Sequence, residues 1–338
     1  MVVDVNSGEV LACASYPTYD LQHFSKDYQS LLTHPAKPMF HRAVSGLYAP
    51  GSTFKMISAI AALETKSVTP TETIETKGVY EYFDRKFQCN IYRQKQETHG
   101  KINLSEALGV SCNYYFYEVG KRVGIEEIAK TAKRFSLGKR TGILPEQEEA
   151  EGNVATPENR AQKGGKWYAG DVLQAAIGQS DHLFTPVGLA NYAAALANGG
   201  KSFNLQILYG VKHAETGEIE KNQTPKGTRD ANVSRDVLGA VIKGMQKVTE
   251  PGGTAGGVFA DFSVSVAGKT GSAQVPGGTN GLFLAFAPVE KPQIAISVVI
   301  ENGGAGSLAA MVGKEIFSAY FEPVQSAFFS QTPYTVLP

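Results

Sequence analysis

The chain has 338 residues, of which 42% are hydrophobic, 19% charged and 10% aromatic. This is the composition of an ordinary folded globular protein and excludes a disordered or collagen-like chain. Its 32 basic and 32 acidic residues give a formal net charge of zero, so no excess positive charge favours nucleic acid as a partner. The length exceeds the roughly 250 to 300 residues at which one hydrophobic core usually stops growing, so two lobes or a domain with large insertions are expected.

The start of the chain predicts a pair of strands. Residues 1–17 alternate like a strand, a turn at Asn6, Ser7 and Gly8, and a second strand. They lack the charged and apolar regions of a signal peptide, so we expect the chain to begin inside a domain, with any targeting segment upstream or removed. The longest clean apolar stretch, 57–63, is far shorter than the roughly 18 to 20 residues that cross a bilayer.

Two helices are predicted next. A polar, proline-containing stretch leads to an apolar run at 56–63, which predicts a buried helix. A second long connection, 65–100, comes after it. Asn103 and Glu106 are then spaced as in a capping box and predict a helix that continues to Tyr117 or beyond.

Further helices and then strands occupy the second half. Capping residues and glycine stops predict helices at 124–136, 185–198, 234–249 and 306–321. Alternating apolar residues predict three strands. The first lies within 258–274 and includes the alternating residues 262–266, and the others lie at 282–288 and 293–302. The short turn at 289–292 implies antiparallel pairing of the last two strands.

Strands at both ends and helices in the middle predict an α+β fold. We expect one antiparallel sheet, built from about 1–15 and 259–302 and flanked by helices. A helix-rich lobe of about 65–200 is expected to be inserted between them. All 338 residues are then one domain.

Ser52 and Lys55 are the first candidate reactive pair. Three residues apart at a helix start, their side chains share one face. The helix dipole there favours negative charge on the Ser52 oxygen, and a partly buried Lys55 without its proton can accept the hydroxyl proton. The alternative is a simple cap and a solvated lysine. Ser136 and Lys139 repeat the spacing at a helix C-terminus, where the dipole opposes an oxyanion.

Ser111 and Asn113 are the second candidate. Neither residue type is preferred inside a helix, because both compete with backbone hydrogen bonds. Two positions apart, their side chains do not face each other on a regular helix. The functional interpretation is a short tight connection that presents both to one cavity. The alternative is a local polar break, and Ser202 and Asn204 repeat the pattern elsewhere.

The third candidate comprises Lys269, Thr270, Gly271 and Ser272. A phosphate-binding loop is excluded, because Ser263 occupies the position of the required earlier glycine and no helix comes after the motif. Gly271 in an edge strand allows the backbone of a ligand to approach closely. The hydroxyls of Thr270 and Ser272 and the charge of Lys269 are then available to bind a carboxylate.

The ordered set of SxxK, SxN and KTG is far more specific than any one of these motifs. With it the chain resembles, over almost its whole length, the transpeptidase domain of class B penicillin-binding proteins, the peptidoglycan D,D-transpeptidases of elongation or division. Longer stretches carry the resemblance too: VDVNSGEVLACASYPTYD, RAVSGLYAPGSTFK, NLSEALGVSCNYYFYEVG, GDVLQAAIGQSDHLFTPVGLA, and GKTGSAQ followed by FLAFAP.

The resemblance implies a reaction and catalytic roles. The family reaction is acylation by a D-Ala-D-Ala stem peptide with loss of D-Ala, then attack by an amino group of a neighbouring strand. By the resemblance, Ser52 is the acylated nucleophile and Lys55 the base that activates it. Ser111 relays protons to the leaving group, with Lys269 beside it. A β-lactam mimics the donor and stalls at the acyl-enzyme.

Binding roles are implied in the same way. Asn113 hydrogen-bonds the peptide substrate, and Thr270 and Ser272, on either side of Gly271, receive its terminal carboxylate. The backbone N–H groups of Ser52 and Ser272 form the oxyanion hole, where losing one donor reduces the rate by on the order of a hundredfold or more.

The resemblance also implies surroundings for the domain. The fold is that of penicillin-binding transpeptidases and serine β-lactamases, with no cofactor or metal. Expected partners are peptidoglycan stem peptides, β-lactams and a membrane glycosyltransferase of the elongation or division machinery. The family carries a membrane anchor and a pedestal domain that this sequence lacks, so an excised or incomplete chain is expected, from the extracytoplasmic face of the cell membrane.

The aromatic residue that many members place after KTG is Leu282 or Phe283 here.

Three alternatives stay open. A serine β-lactamase shares the nucleophile, lysine and KTG, but no ExxLN signature is present, and 157–160 lacks that pattern. The class D form of the same β-lactamase alternative needs a carboxylated lysine, for which Lys55 can serve, but class D enzymes are shorter. A non-catalytic penicillin-sensing domain forms only the β-lactam adduct, and a D,D-carboxypeptidase transfers the acyl group to water.

The cysteines and histidines predict neither a disulfide framework nor a zinc site. Cys13, Cys89 and Cys112 are widely spaced without a CxxC pair, and the histidines are scattered. In the middle of SxN, Cys112 is expected to be a small buried residue. The alternative hypothesis is that it pairs with Cys89 and links activity to redox state.

Overall fold

The computed structural model describes residues 1–222 and 228–322. Its strands are β1 (Val2–Asp4), β2 (Val10–Ala12), β3 (Ile74–Thr76), β4 (Val79–Tyr82), β5 (Arg85–Gln88), β6 (Gly100–Ile102), β7 (Lys201–Ser202), β8 (Gly210–Lys212), β9 (Ile219–Lys221), β10 (Arg229–Asp230), β11 (Ala267–Val275), β12 (Gly278–Ala287) and β13 (Ile294–Ile300). Its α-helices are α1 (Phe24–Thr33), α2 (Arg42–Ser45), α3 (Lys55–Glu64), α4 (Asn90–Lys95), α5 (Leu104–Gly109), α6 (Asn113–Val123), α7 (Ile125–Arg134), α8 (Pro157–Gln162), α9 (Asp171–Ala176), α10 (Pro186–Ala197), α11 (Arg235–Thr249), α12 (Gly256–Phe259) and α13 (Gly306–Phe321).

A five-stranded antiparallel sheet is the frame of the fold, in the order β11-β12-β13-β1-β2. The first and last parts of the chain share it, because β1 pairs with both β2 and β13. Helix α10 contacts β12 and β13, and α13 contacts β11, β12 and β13. This confirms the predicted α+β fold, and β11 is an edge strand as expected.

The strand expected at 262–266 is wrong. Helix α12 and a short irregular segment occupy this region, and β11 begins only at Ala267. The rings of Phe259 and Phe262 lie 6.5 and 6.4 Å from that of Phe317 on α13. The apolar alternation therefore reflects ring packing against a helix. As a result, Lys269 and its neighbours lie inside the strand and not after it.

Three of the six predicted helix starts are confirmed by side-chain caps. Asn103 Oδ1 accepts from the Glu106 N–H (3.1 Å), and Glu106 Oε2 accepts from the Asn103 N–H (2.9 Å), which completes the capping box. Thr185 and Ser234 accept from backbone N–H groups at the starts of α10 and α11.

The helix expected to run from residue 103 beyond 117 is interrupted. Helix α5 ends at Gly109 and α6 starts at Asn113. Between them Ser111 has a φ of +54°, in the left-handed region that a regular helix cannot contain. The segments that the sequence describes as connections also hold elements, namely α1, α2, α4 and β3 to β6. Helix α1 buries none of its side chains.

Helix α3 is the buried helix predicted from the apolar run. All residues from Lys55 to Leu63 are buried, and the helix contacts α5, α6, α7 and α11. One hydrophobic cluster includes Ile57 of α3, Phe116 of α6 and Leu284 of β12. The division into a sheet and an inserted lobe stays a prediction. Within the described residues, no helix is both long and apolar enough to cross a membrane.

Candidate active site

Ser52 lies in a tight 3-10 turn, Gly51–Phe54, directly before α3. The Gly51 N–H donates to the Gly178 carbonyl (2.9 Å). Gly178 has a φ of +79°, and a Cβ there would overlap the Gly51 carbonyl oxygen. Gly51 itself has a φ of +53°, and a Cβ would lie 2.9 Å from the Ser272 carbonyl oxygen. Two glycines therefore allow the turn to fit between β11 and the loop after α9.

Lys55 is a fully buried cation beside this turn. Its side chain is 0% exposed. The ammonium donates to the Ser111 carbonyl oxygen (2.8 Å), Ser111 Oγ (3.2 Å) and Asn113 Oδ1 (2.7 Å), and lies 5.4 Å from the ring centroid of Phe116. Burial lowers the pKa of Lys55 to about 8. The neutral form, which can accept a proton, is thus available near neutral pH.

The connection between α5 and α6 explains how Ser111 and Asn113 meet one lysine. Side chains two positions apart diverge on a regular helix. The left-handed Ser111 breaks the helix, and Asn113 begins the next one. Both residues then hydrogen-bond to Lys55. The predicted tight connection is present, but of the two residues only Asn113 lines the cavity beside Ser52.

Lys269 is a second fully buried lysine, on β11. Its ammonium donates to the Thr270 carbonyl (3.1 Å). Burial, and in second place the charge of Lys55, lowers the pKa of Lys269 well below the usual lysine range. The repulsion indicates that the two lysines lie close enough for each to disfavour charge on the other.

Gly271 lets β11 lie directly against the 3-10 turn that holds Ser52. A Cβ at this position would lie 2.9 Å from both the Pro50 carbonyl oxygen and Thr53 Cγ2. This is the close approach expected of a glycine in an edge strand. The sequence predicts that a ligand backbone lies against Gly271. The group that lies against it in the structure is the protein's own 3-10 turn.

The neighbours of Gly271 present their hydroxyls on the opposite face of β11, because side chains alternate along a strand. Thr270 Oγ1 lies 2.6 Å from Thr254 Oγ1, so these two hydroxyls share a hydrogen bond. Ser272 is exposed, and its Oγ accepts from the Gly306 N–H (3.2 Å).

A cavity of about 350 Å³ contains Ser52, Asn113 and Ser272 in its lining. Ser52, Asn113 and Ser272 therefore face one cavity, and Lys55 is joined to it by its hydrogen bonds to Asn113 and Ser111. Lys269, Thr270 and Gly271 do not line this cavity. Leu282 and Phe283 are fully buried and do not line this cavity.

Most of the remaining cavity wall was not predicted from the sequence. These residues come from β5, α4, α6, the end of α9 and its following loop, and the hairpin of β11 and β12: Arg85, Lys86, Phe87, Gln88, Asn90, Arg93, Tyr117, Gln174, Ile177, Gln179, Gln274 and Thr279. Much of this wall falls in 65–100, which the sequence describes as a connection. No motif in that segment singled these residues out, because its basic and acidic side chains are interspersed.

Three side chains near the site bring metal-binding atoms together. Cys89 Sγ lies 3.9 Å from both Cys112 Sγ and His99 Nδ1, and all the donor atoms fall within 4.8 Å of one another. Thiolate and imidazole are ligands that zinc prefers. Sequence spacing did not reveal this grouping. Cys112 is fully buried as expected, both thiols are free, and their pairing stays a hypothesis.

Comparisons with known proteins agree with this geometry. The family model "Penicillin binding protein transpeptidase domain" matches residues 1–319. Peptidoglycan D,D-transpeptidase MrdA of Acinetobacter baumannii is 32% identical over 349 residues, covering 94% of this chain and 49% of the relative. The chain thus spans about half the length of the curated relatives it matches.

Two solved structures show the same fold. Pseudomonas aeruginosa PBP2, in complex with WCK 5153, matches with a TM-score of 0.85 and 31% identity, over 98% of this chain and 76% of that one. Penicillin-binding protein A of Mycobacterium tuberculosis, as an imipenem acyl-enzyme, matches with a TM-score of 0.80 and 27% identity, over 94% of this chain and 72% of that one.

Proposed function

Because the chain belongs to the penicillin-binding protein transpeptidase family, we propose that it is the catalytic domain of a peptidoglycan D,D-transpeptidase that acts through a Ser52 acyl-enzyme. The observation that carries the proposal is the fully buried Lys55, one helical turn from Ser52 and hydrogen-bonded to both Ser111 and Asn113. A charged lysine with no carboxylate partner is costly to bury, so its position calls for a chemical role.

The acylation step can be derived from the donors and acceptors around Lys55. A protonated lysine has three N–H donors, and all three are used by Ser111 and Asn113. Loss of one proton leaves a lone pair that can accept the Ser52 hydroxyl proton as Oγ attacks the carbonyl carbon of the penultimate D-Ala. The peptide C–N bond then breaks, and Ser111 passes a proton from Lys55 to the departing amine of D-Ala.

The second step transfers the acyl group. An amino group of a neighbouring strand attacks the Ser52 ester, the bond from the acyl carbon to Oγ breaks, and Oγ takes up the proton that the attacking amine loses, passed through Lys55. During both steps Ser52 and Ser272 would donate backbone N–H groups to the oxyanion, where positioned donors are most effective. Asn113 would bind the peptide, and Thr270 and Ser272 its terminal carboxylate.

The cavity favours a transpeptidase over a β-lactamase. Among the described residues that line the Ser52 cavity, none is an aspartate or a glutamate. A carboxylate base to activate water on the acyl-enzyme is therefore missing from this wall. We expect β-lactams to form long-lived adducts. A D,D-carboxypeptidase, or a sensor that binds β-lactam without turnover, differs only in the fate of the acyl-enzyme.

Partners and location rest on the family membership. We expect peptidoglycan stem peptides ending in D-Ala-D-Ala as donors, β-lactams as inhibitors, and a membrane glycosyltransferase of the elongation or division machinery as a partner. That partner would bind mainly through parts of the longer relatives that this chain does not match. The location would be the extracytoplasmic face of the cell membrane.

Release of D-Ala from a D-Ala-D-Ala peptide tests the proposal. With a D-amino acid as acceptor, the protein should release D-Ala and form the exchanged peptide. Lys55→Met should lower this rate by at least about a hundredfold, since a general base contributes about that much or more. Exposed Lys139, at the same spacing from Ser136, provides the control Lys139→Met, which should retain the rate. Hydrolysis without exchange indicates a carboxypeptidase, and equal rates for both variants contradict the role of Lys55.

A further inference from the structure

The wall of the Ser52 cavity is strongly unbalanced in charge. Arg85, Lys86 and Arg93 line it, and no carboxylate does so among the described residues. The whole chain has 32 basic and 32 acidic residues, so this excess of positive charge is local. A cleft that carries one sign of charge attracts ligands of the opposite sign.

Two of these cations have no acidic partner within residues 1–222 and 228–322. The Arg85 guanidinium carbon lies 5.7 Å from the ring centroid of Phe87, and Arg93 Nη2 donates only a long hydrogen bond to Asn90 Oδ1 (3.4 Å). Lys86 differs, because its ammonium lies 3.0 Å from Glu81 Oε1. Arg85 and Arg93 therefore have donors free to bind an anion.

Among the anions that a peptide can bring into this cavity, a carboxylate is the best match for an arginine. The planar N–H groups of arginine can bind both carboxylate oxygens. The terminal carboxylate of the donor already has proposed partners on β11, namely Thr270 and Ser272. The two arginines come from β5 and α4 instead. They are thus placed for a second carboxylate on a peptide in the same cavity.

We infer that Arg85 and Arg93 form a subsite that binds a free side-chain or α-carboxylate within the stem peptide, distinct from the terminal carboxylate. This inference rests on the proposed function and makes it more specific: the enzyme would prefer stem peptides whose internal acidic residue is not amidated. The carboxylate can belong to the donor or to the acceptor strand.

Paired synthetic peptides test the inference. Each pair ends in D-Ala-D-Ala and differs only in whether one internal glutamate is a free acid or an amide, with that residue placed at successive positions. The wild-type protein should be acylated by the acid form at least about fivefold faster, as charged hydrogen bonds would give. The preference should shrink as salt is raised, because the charges are partly exposed. A second arm varies the acid and amide forms of the acceptor during aminolysis and so identifies the strand.

The double variant Arg85→Gln/Arg93→Gln should lose the preference in whichever arm shows it. Lys95→Gln, on the same helix but outside the cavity lining, is the matched control and should keep it. Acylation by the amide peptide, which lacks the internal carboxylate, should fall by less in the double variant than acylation by the acid peptide, because only general attraction of the terminal carboxylate is lost. Equal rates for acid and amide in both arms, or a preference that survives the double variant, would overturn the inference. Failure of the proposed function is distinguishable, because the wild-type protein would then form no penicillin adduct.

Discussion

At the scale of single residues, the burial of Lys55 changes the acid–base behaviour of its side chain. Its full burial removes water from the ammonium, and the three hydrogen bonds that it donates to Ser111 and Asn113 only partly replace that water. The result is a lysine whose pKa falls to about 8. Motif order singled out Lys55, Ser111 and Asn113, and the sequence allowed for a partly buried lysine. It did not predict full burial or the hydrogen bonds from Lys55 to Ser111 and Asn113, since both depend on how α3, α6 and β11 pack.

The pH dependence of acylation should report this lysine. Below a pKa of about 8 Lys55 is protonated and cannot accept the Ser52 proton, so the rate should rise with pH and level off above that value. Well below the pKa the rise should be about tenfold per pH unit. The measurement is the rate of acylation by benzylpenicillin between pH 5.5 and 9. Lys139→Met should give the same profile as the wild-type protein, and a rate that falls as pH rises would contradict a neutral Lys55 base.

At the scale of elements, the site depends on how closely the 3-10 turn, β11 and the loop after α9 approach one another. Gly51, Gly178 and Gly271 lie at these contacts. The sequence predicted that Gly271 allows a ligand backbone to approach β11, and the structure places the protein's own 3-10 turn against this glycine. The sequence offered no reason to single out Gly178, because a glycine after a helix is usually only a stop. The partner that makes Gly178 necessary lies more than a hundred residues away, at Gly51.

Gly178→Ala should therefore be more damaging than an ordinary loop substitution. Gly164 offers a matched control, since its φ of +75° is similar to the +79° of Gly178 but its Cβ would have nothing within 4 Å. Gly164→Ala should lower the free energy of unfolding by about 1 to 2 kcal/mol, the cost of a left-handed residue. Gly178→Ala should lower it by about 1 to 3 kcal/mol more, because the Gly51 carbonyl must move.

Urea unfolding of both variants measures that difference, and the rate of penicillin acylation measures its effect on Ser52. Acylation should slow in Gly178→Ala and stay near wild type in Gly164→Ala. Equal loss of stability in the two variants would show that the contact with Gly51 contributes nothing to the free energy of unfolding.

At the scale of the whole molecule, the sheet and the helices converge on the start of α3. A single hydrophobic cluster joins β1, α3, α6, α10 and β12 around it. Alternating apolar residues at both ends of the sequence were enough to predict the shared sheet. Strand β1 needs a partner, and β13 supplies one. The part of the cavity wall formed by β5 and α4 was not predictable, since these short elements carry few buried residues and no motif.

The central claim is that Ser52 is a nucleophile whose acyl-enzyme is long-lived. The most direct test is the intact mass of the protein after incubation with benzylpenicillin, followed over hours beside Ser52→Ala. The wild-type protein should gain the mass of one benzylpenicillin and keep it, and Ser52→Ala should gain nothing. An equal adduct on both proteins, or no adduct with the drug intact, would contradict the claim. Consumption of the drug without an adduct would indicate a β-lactamase and contradict the slow hydrolysis inferred from the cavity.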